Sequence, residues 1–448
     1  MDEIATSAQR GKSLRAAVPR SEHGRWQPAN GRPDPVGVLE RQAQTRVPGL
    51  VPIRHGRMLA SPFAFLRGAA AIMAADLAKT PQTGLDAQLC GDAHAANFGG
   101  FAAPDRDLVF DLNDFDETAR GPWEWDLKRL GASFEVLGRD LGFAARERRE
   151  VVLTAARGYR EAMRQFAAMR TVDLWYARLD LERQYAQLSA LLTRASRKRL
   201  DRALAKGRRK DSLRAFAKLT HDVDGDPRIV SDPPLIVPIA ELTDEDDAEM
   251  RRDELLALFE QYRRTLPVDT RRLLDDYEPV DLAHKVVGIG SVGLEAWIVL
   301  LIGNGPDDPL VLQIKEAESS GRRVVEGQRL IQAGSDRFLG WLRVHDGRDG
   351  RRHRYYVRQL WDEKISIPLE NLSADDLAVY GGMCGWTLAR AHARTGDRAA
   401  IATYLGGGHV FDHALVNFAE AYADQNERDY EAFAGAVQAG RLAATTGV

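Results

Sequence analysis

Cysteine is almost missing from this 448-residue chain: Cys90 and Cys384 are the only two. Two thiols exclude a disulfide framework and a cysteine-rich zinc site, and they fit a reducing compartment. Charge of one sign is not in excess either. The formal net charge is −3 with a pI near 6.4, so composition gives no global attraction for nucleic acid or anionic membrane. Long apolar runs are also lacking. The most hydrophobic early stretch, Phe63 to Ala78, is broken by Arg67 and Asp76, and the N-terminus has no apolar core of signal-peptide type. These absences predict a cytoplasmic protein with no membrane span and no nucleic-acid partner. With 44% hydrophobic residues, the chain is long enough for two or three domains and a sizeable core.

Residues 1–53 are rich in Arg, Pro, Gly and polar groups without a helical or alternating period, and they read as a flexible arm. Phe63 through Leu77 reads as a helix with Pro62 in its first turn. Asp86 to Cys90 and Leu108 to Asp111 read as short strands with acidic loops at their ends. Residues 127 to about 220 are helical in pattern. The eleven Lys and Arg between Arg194 and Lys218 read as a solvated helix face, since aromatics are sparse there. Asp222-Val223-Asp224-Gly225-Asp226 opens like a calcium loop, but its twelfth position is Pro233, so it reads as a turn. A further helix is expected over Asp253–Arg264. From His284 the chain turns β-rich: Leu294 to Ile302 and Leu310 to Lys315 flank a turn-dense Gly303 to Asp308 and predict a hairpin. Helices are expected over Val324–Gln332, Ala374–Arg394 and Asp412 to about Ala436.

Two constellations carry chemistry. The first is Gly91-Asp92-Ala93-His94-Ala95-Ala96-Asn97 followed by Asn113-Asp114-Phe115-Asp116. An Asp with an Asn five positions on is the spacing of a kinase catalytic loop, where the Asp takes a hydroxyl proton and the Asn carboxamide helps hold Mg²⁺. Asp92 is the expected base, Asn97 and Asp114 the expected metal ligands, and Asp116 the assistant of a second ion. His94 is expected to brace the loop and Asp126 to anchor its backbone. Arg54, Arg57 and Arg67 precede the site, where they either bind an anionic substrate or are solvated.

The second constellation is Gly288, Gly290, Ser291 and Gly293 in a G-x-G-x-x-G, followed by the β-type run Leu294 to Leu300. A dinucleotide fold needs a helix at the third Gly, whereas a kinase phosphate-covering loop needs a strand and then a Lys on the next one. Lys315, at the end of Val311-Leu312-Gln313-Ile314, meets that requirement. Glu326 is its expected partner, with Glu316 and Glu318 as rivals.

Over nearly its whole length the chain resembles a bacterial family, domain of unknown function 2252. Ser61 to Gly68, Gly91 to His94, Phe110 to Glu117, Gly121 to Leu127, Gly288 to Gly293 and Tyr422 to Tyr430 carry the resemblance. More locally it resembles aminoglycoside- and choline-kinase-like phosphotransferases, whose His-Gly-Asp loop, Asp-Phe-Asp strand end, Gly-Pro and Asp-Leu correspond to Cys90-Gly91-Asp92, Asp114-Phe115-Asp116, Gly121-Pro122 and Asp126-Leu127. Cys90 departs from their His, and Glu295 stands where protein kinases usually have Val. The order of the two constellations is inverted, as in a circular permutation. Leu388 to Arg394, near the chain end, resembles the helix that normally leads into the catalytic loop.

These readings imply an α+β fold: a protein-kinase-like two-lobed architecture, circularly permuted, with a large helical insertion. The expected parts are a flexible arm (1–53), a catalytic-loop and helical lobe (54–280), a small β-rich nucleotide-binding lobe (281–370), and C-terminal helices (371–448) packed on the helical lobe. The expected activity is ATP- and Mg-dependent phosphoryl transfer to a hydroxyl-bearing acceptor, small molecule or protein. Two phosphohydrolase readings compete: Asp114-Phe115-Asp116-Glu117-Thr118 matches the Asp-x-Asp-x-Thr of aspartyl-phosphate hydrolases, and Gly91 to His94 is similar to two-metal phosphoesterases. A catalytically silent nucleotide-binding module is a third alternative.

Overall fold

The structure, a computed structural model, describes residues 2–207, 216–217, 219–223, 226–241, 257–286, 292–305, 307–344, 352–360 and 367–447. The fold is a mixture of helices and antiparallel strands, an α+β arrangement. Among the described residues no helix is long and apolar enough to cross a membrane.

The N-terminal residues, expected to be a flexible arm, are instead folded onto the far end of the chain. Helix α1 (Asp2–Ala17) packs along α14 (Arg398–Leu405), and α2 (Pro35–Ala43) carries Val36 and Leu39 into a core with Phe433. Arg15 Nε donates to Tyr404 O at 3.0 Å, and Trp26 meets Tyr422 edge-on. Arg15 and Arg20 donate to the end carbonyls of α14, and Arg32 pairs with Asp76 and Asp429, contacts that leave no sequence periodicity.

Helices α3 (Val51–Met58), α4 (Pro62–Gly68) and α5 (Ala70–Leu77) follow, so the single helix expected over Phe63–Leu77 breaks at Ala69. Strands β1 (Asp86–Leu89) and β4 (Ala119–Pro122) pair with each other, and β2 (Phe98–Ala102) pairs with β3 (Leu108–Leu112). The loops of the first constellation leave the ends of these strands. Helices α6 (Glu124–Asp140) and α7 (Ala145–Ala168) and the later α13 (Ala374–Thr395) and α15 (Val410–Gln438) build the main core around Trp123, Phe134, Tyr159 and Leu388. Close packing of α7 on α13 requires glycine: a Cβ on Gly385 would stand 2.1 Å from Ala155 O. An excursion through α8 (Thr171–Tyr176), β5 (Leu179–Asp180), α9 (Tyr185–Leu191) and α10 (Arg194–Gly207) borders this core.

The second body is a six-stranded antiparallel sheet in the order β12-β13-β11-β10-β9-β8, built from β8 (Ile236–Pro238), β9 (Glu278–Lys285), β10 (Ala296–Ile302), β11 (Pro309–Glu316), β12 (Gly340–Val344) and β13 (His353–Gln359). The expected hairpin is β10–β11. Strand β10 is apolar at every position because both faces are covered. Val299 and Leu301 pack with Tyr262 and Leu266, while Ile298 and Leu300 pack with Leu219 and Ile229. Leu219, Ile229, Tyr262, Leu266 and Leu274 therefore pack with the sheet. Strands β6 (Thr220–Val223) and β7 (Asp226–Ile229) pair antiparallel, and Asp224 and Gly225 of the expected turn lie outside the described residues. Helix α11 (Val268–Leu274) adds Leu274 to the sheet's covering, and α12 (Gly321–Ile331) lies between sheet and β1. Of the expected helix over Asp253–Arg264, residues 253–256 lie outside the described residues.

Candidate active site

The first constellation is held by its own backbone geometry. Gly91 has φ of 87°, and a Cβ there would stand 2.2 Å from Glu117 O, so the position admits only glycine. In the first turn of α6, Asp126 accepts from Cys90 N at 2.6 Å and from Gly91 N at 3.0 Å. It is the anchor expected of it. His392 Nε2 on α13 lies 3.2 Å from Asp126 Oδ2, and His392 Nδ1 lies 2.9 Å from Tyr159 OH. Cys90, in the place of a histidine, has its own use: its thiol donates to Asp114 O at 3.3 Å, and burial pushes its pKa well up, so it remains a donor. Asn97 Nδ2 donates to Asp92 O at 3.0 Å and Asp114 O at 3.1 Å. That carboxamide stitches the two acidic loops together at the edge of the cleft.

Asp92 is gripped by a residue the sequence reading missed. Arg129 Nε donates to Asp92 Oδ1 at 2.8 Å while Arg129 Nη2 donates to Leu66 O at 2.6 Å. The available signal was a cation three residues after Asp126, one helical turn further along the same helix. His94 Nε2 stands 3.7 Å from Asp92 Oδ2, and burial pushes the imidazole down to about 4. The ring is neutral near pH 7 and packs edge-on against Phe63.

Lys315 arrives from the sheet. On β11, Gln313 and Lys315 share one face and sit in register with Arg358 and Tyr356 on β13, forming a polar row on the cleft side. Lys315 Nζ pairs with Asp116 Oδ2 and lies 3.5 Å from Asp114 Oδ2, and Tyr356 OH donates to Asp116 Oδ1 at 2.7 Å. Burial alone would lower the lysine's pKa, but Asp114 and Asp116 more than reverse this and keep the ammonium charged. Both oxygens of Asp116 are therefore engaged by protein donors, and its place is that of a lysine partner.

Glu326 is not that partner. It is half exposed on α12 and accepts from Arg322 at 2.6 Å, one turn away. Glu316 meets His353 at 2.8 Å, on the strand face opposite Lys315, and Glu318 meets Arg46 at 3.3 Å. Gly288, Gly290 and Ser291 lie outside the described residues. Gly293 is placed: its carbonyl accepts from Val47 N at 2.7 Å, and Arg46 Nη1 donates to Val292 O at 2.7 Å. The segment expected to be a flexible arm thus grips Val292 and Gly293, the last residues of the glycine motif.

A cleft of about 950 Å³ runs between sheet and helical body, and Asp92, Asn97, Asp114 and Lys315 all line it. Among the described residues no three acidic, His or Cys side chains converge as a metal cluster. Among the oxygen-bearing side chains lining the cleft, Asn97 and Asp114 are joined by a hydrogen bond and form a set with one carboxylate. Such a set suits magnesium, which retains waters and phosphate oxygens and takes only one or two protein carboxylates.

A family model described as "Uncharacterized protein conserved in bacteria (DUF2252)" matches residues 46–436. The chain belongs to this family. No curated protein and no solved structure matches it. The matched segment includes both acidic loops, Arg129, Lys315 and His392, so the whole cleft of this family member lies inside it. The family description carries no activity, and the chemistry is argued from the side chains.

Proposed function

We propose that the protein is an ATP- and Mg-dependent phosphotransferase with a kinase-like, circularly permuted architecture, acting on a hydroxyl-bearing acceptor. The observation that carries this reading is the 3.5 Å approach of Lys315 Nζ to Asp114 Oδ2 in a cleft that also holds Asp92 and Asn97. Asp92, oriented by Arg129, accepts the acceptor's proton. Asn97 Oδ1 and Asp114 hold the metal, and Lys315 donates to phosphate oxygens. When bound, magnesium supplies charge neutralisation at the phosphates, and the protein's part is positioning and fixed charge.

The permuted order has support from the joint it would leave. Helix α13 ends against β1: Thr395 Oγ1 accepts from Gln88 N at 3.0 Å, and a Cβ on Gly396 would lie 3.1 Å from Ala87 Cβ. The helix that leads into the catalytic strand in the usual order therefore reaches that strand in space. The aspartyl-phosphatase reading fares worse, since every pairing between the named strands is antiparallel. Thr118 Oγ1, moreover, is buried and donates to Leu89 O.

The test is MgATP binding by calorimetry followed by transfer of γ-labelled phosphate to a fractionated metabolite extract. Asp114→Ala is expected to abolish metal-dependent nucleotide binding. Asp92→Asn is expected to retain binding and lose transfer. Absence of MgATP binding, or transfer by Asp92→Asn at the wild-type rate, defeats the assignment, and binding without transfer favours the silent module.

A further inference from the structure

A second pocket, about 270 Å³, lies behind Gly91 and is walled by arginines. Arg46, Arg54 and Arg67 converge on it, each from a different segment of the N-terminal third. Arg54 is 1% exposed and Arg46 5% exposed, so neither guanidinium is a solvated surface group. Their donors are only partly used. Arg54 Nη2 serves Gln42 Oε1 at 3.1 Å and Gly68 O at 2.7 Å, and Arg46 serves Val292 O and Glu318. Arg46 Nε, Arg54 Nε, Arg54 Nη1 and Arg67 Nε are buried with no hydrogen-bond partner among the described residues.

Such a concentration of buried, unsatisfied cationic donors calls for a partner, because desolvated guanidinium is stable only when paired. Glu318 meets Arg46 alone, and its side chain is 54% exposed. Arg54 and Arg67 make no ion pair among the described residues. Glu117 also lines the pocket, but it is solvent-exposed and forms no ion pair with Arg46, Arg54 or Arg67 among the described residues. Each nitrogen of Arg129 already has a partner, in Asp92, Met73 and Leu66 O. Burial and the adjacent Arg46 push the Arg54 guanidinium down to about 9, the signature of a cation short of counter-charge. Water fits the space, since one molecule takes about 30 Å³, but water supplies no charge.

We infer that this pocket is a binding site for a small oxyanion, a phosphate or carboxylate group, held by Arg46, Arg54 and Arg67. Planar guanidinium forks match the paired oxygens of such groups. The site is separate from the lysine and carboxylates of the main cleft but adjoins it, since Arg67 and Glu117 line both. It stands whether or not the main cleft transfers phosphate.

The experiment is titration of the full-length protein with inorganic phosphate, without nucleotide or metal and at constant ionic strength, read by calorimetry and by melting temperature. The wild type is expected to bind and to melt at higher temperature as phosphate rises. Arg67→Gln is expected to lose about tenfold or more in affinity, the effect of a lost charge-assisted hydrogen bond. Arg54→Gln is expected to do the same, and Arg46→Gln replaces it if that variant does not fold. A parallel titration with glycerol 3-phosphate, with glycerol as control, separates sources: tighter binding than inorganic phosphate assigns the site to an anionic substrate, and equal binding to the free ion. No binding of either anion, or unchanged affinity in every folded variant, overturns the inference. Because nucleotide is absent, that result leaves the MgATP assignment to its own test.

Discussion

The Lys315 ammonium donates to Asp116 across 199 residues of chain and joins the β body to the acidic loop through one buried ion pair. Removing the lysine strands a buried carboxylate. Lys315→Met is expected to lose about 3–5 kcal/mol of stability, and Lys315→Met with Asp116→Leu is expected to recover part of it, because the loss reflects an unpaired charge more than a missing attraction. Urea unfolding of the three proteins measures both effects.

Asp126 accepts two backbone N–H groups and lies against His392. Asp126→Ala orphans both donors, and its expected cost is about 3 kcal/mol or more. If the residue were only a surface cap, denaturant midpoints would move far less.

Gly91 holds the turn into Asp92 at positive φ, under the Glu117 carbonyl. Gly91→Ala adds about 1–2 kcal/mol of left-handed strain before any clash is counted. It is expected to lower the melting temperature and to weaken transfer more than nucleotide binding, since the displaced group is the base loop.

Acid is expected to weaken the fold through two histidines. Burial holds His23 down to about 3 and His94 to about 4, against about 6.5 in the unfolded chain. Between about pH 6.5 and 4 the unfolded state binds protons that the folded state refuses. The stability these rings contribute is therefore intact above pH 6.5 and falls by about 1.4 kcal/mol per pH unit for each ring as pH drops. His23→Gln is expected to shallow that slope in a pH series of urea titrations.

Glu117 has the opposite sign. Its raised pKa means that ionisation opposes folding, a penalty that begins as pH rises past about 4.3 and grows toward the folded value. Glu117→Gln is expected to match the wild type at about pH 4 and to exceed it in stability near neutrality. A constant difference at both pH values would refute the crowding of this carboxyl.

Local pattern made a good part of this readable. The β10–β11 hairpin followed from a turn-rich hexapeptide between apolar runs, and α13 and α15 from unbroken periodicity. Asp92 and Asn97 were legible because they share one short loop, and Asp114 because the β2–β3 hairpin returns the chain to it. Arg129 was missed because its role depends on where α6 crosses the loop, and Glu326 was misplaced because a one-turn neighbour, Arg322, captured it. The N-terminal arm was misread because its partners lie nearly the whole chain away.

By itself, the sequence determined which chemical groups exist and which are local neighbours, since strand and helix periods and loop spacing are short-range properties. Only the tertiary structure decided which distant groups share a cleft, which carboxylate faces Lys315, and which arginines are buried without partners. The reason is that desolvation and charge pairing act through distance in space, and residues far apart in the chain become neighbours only when the core closes around them.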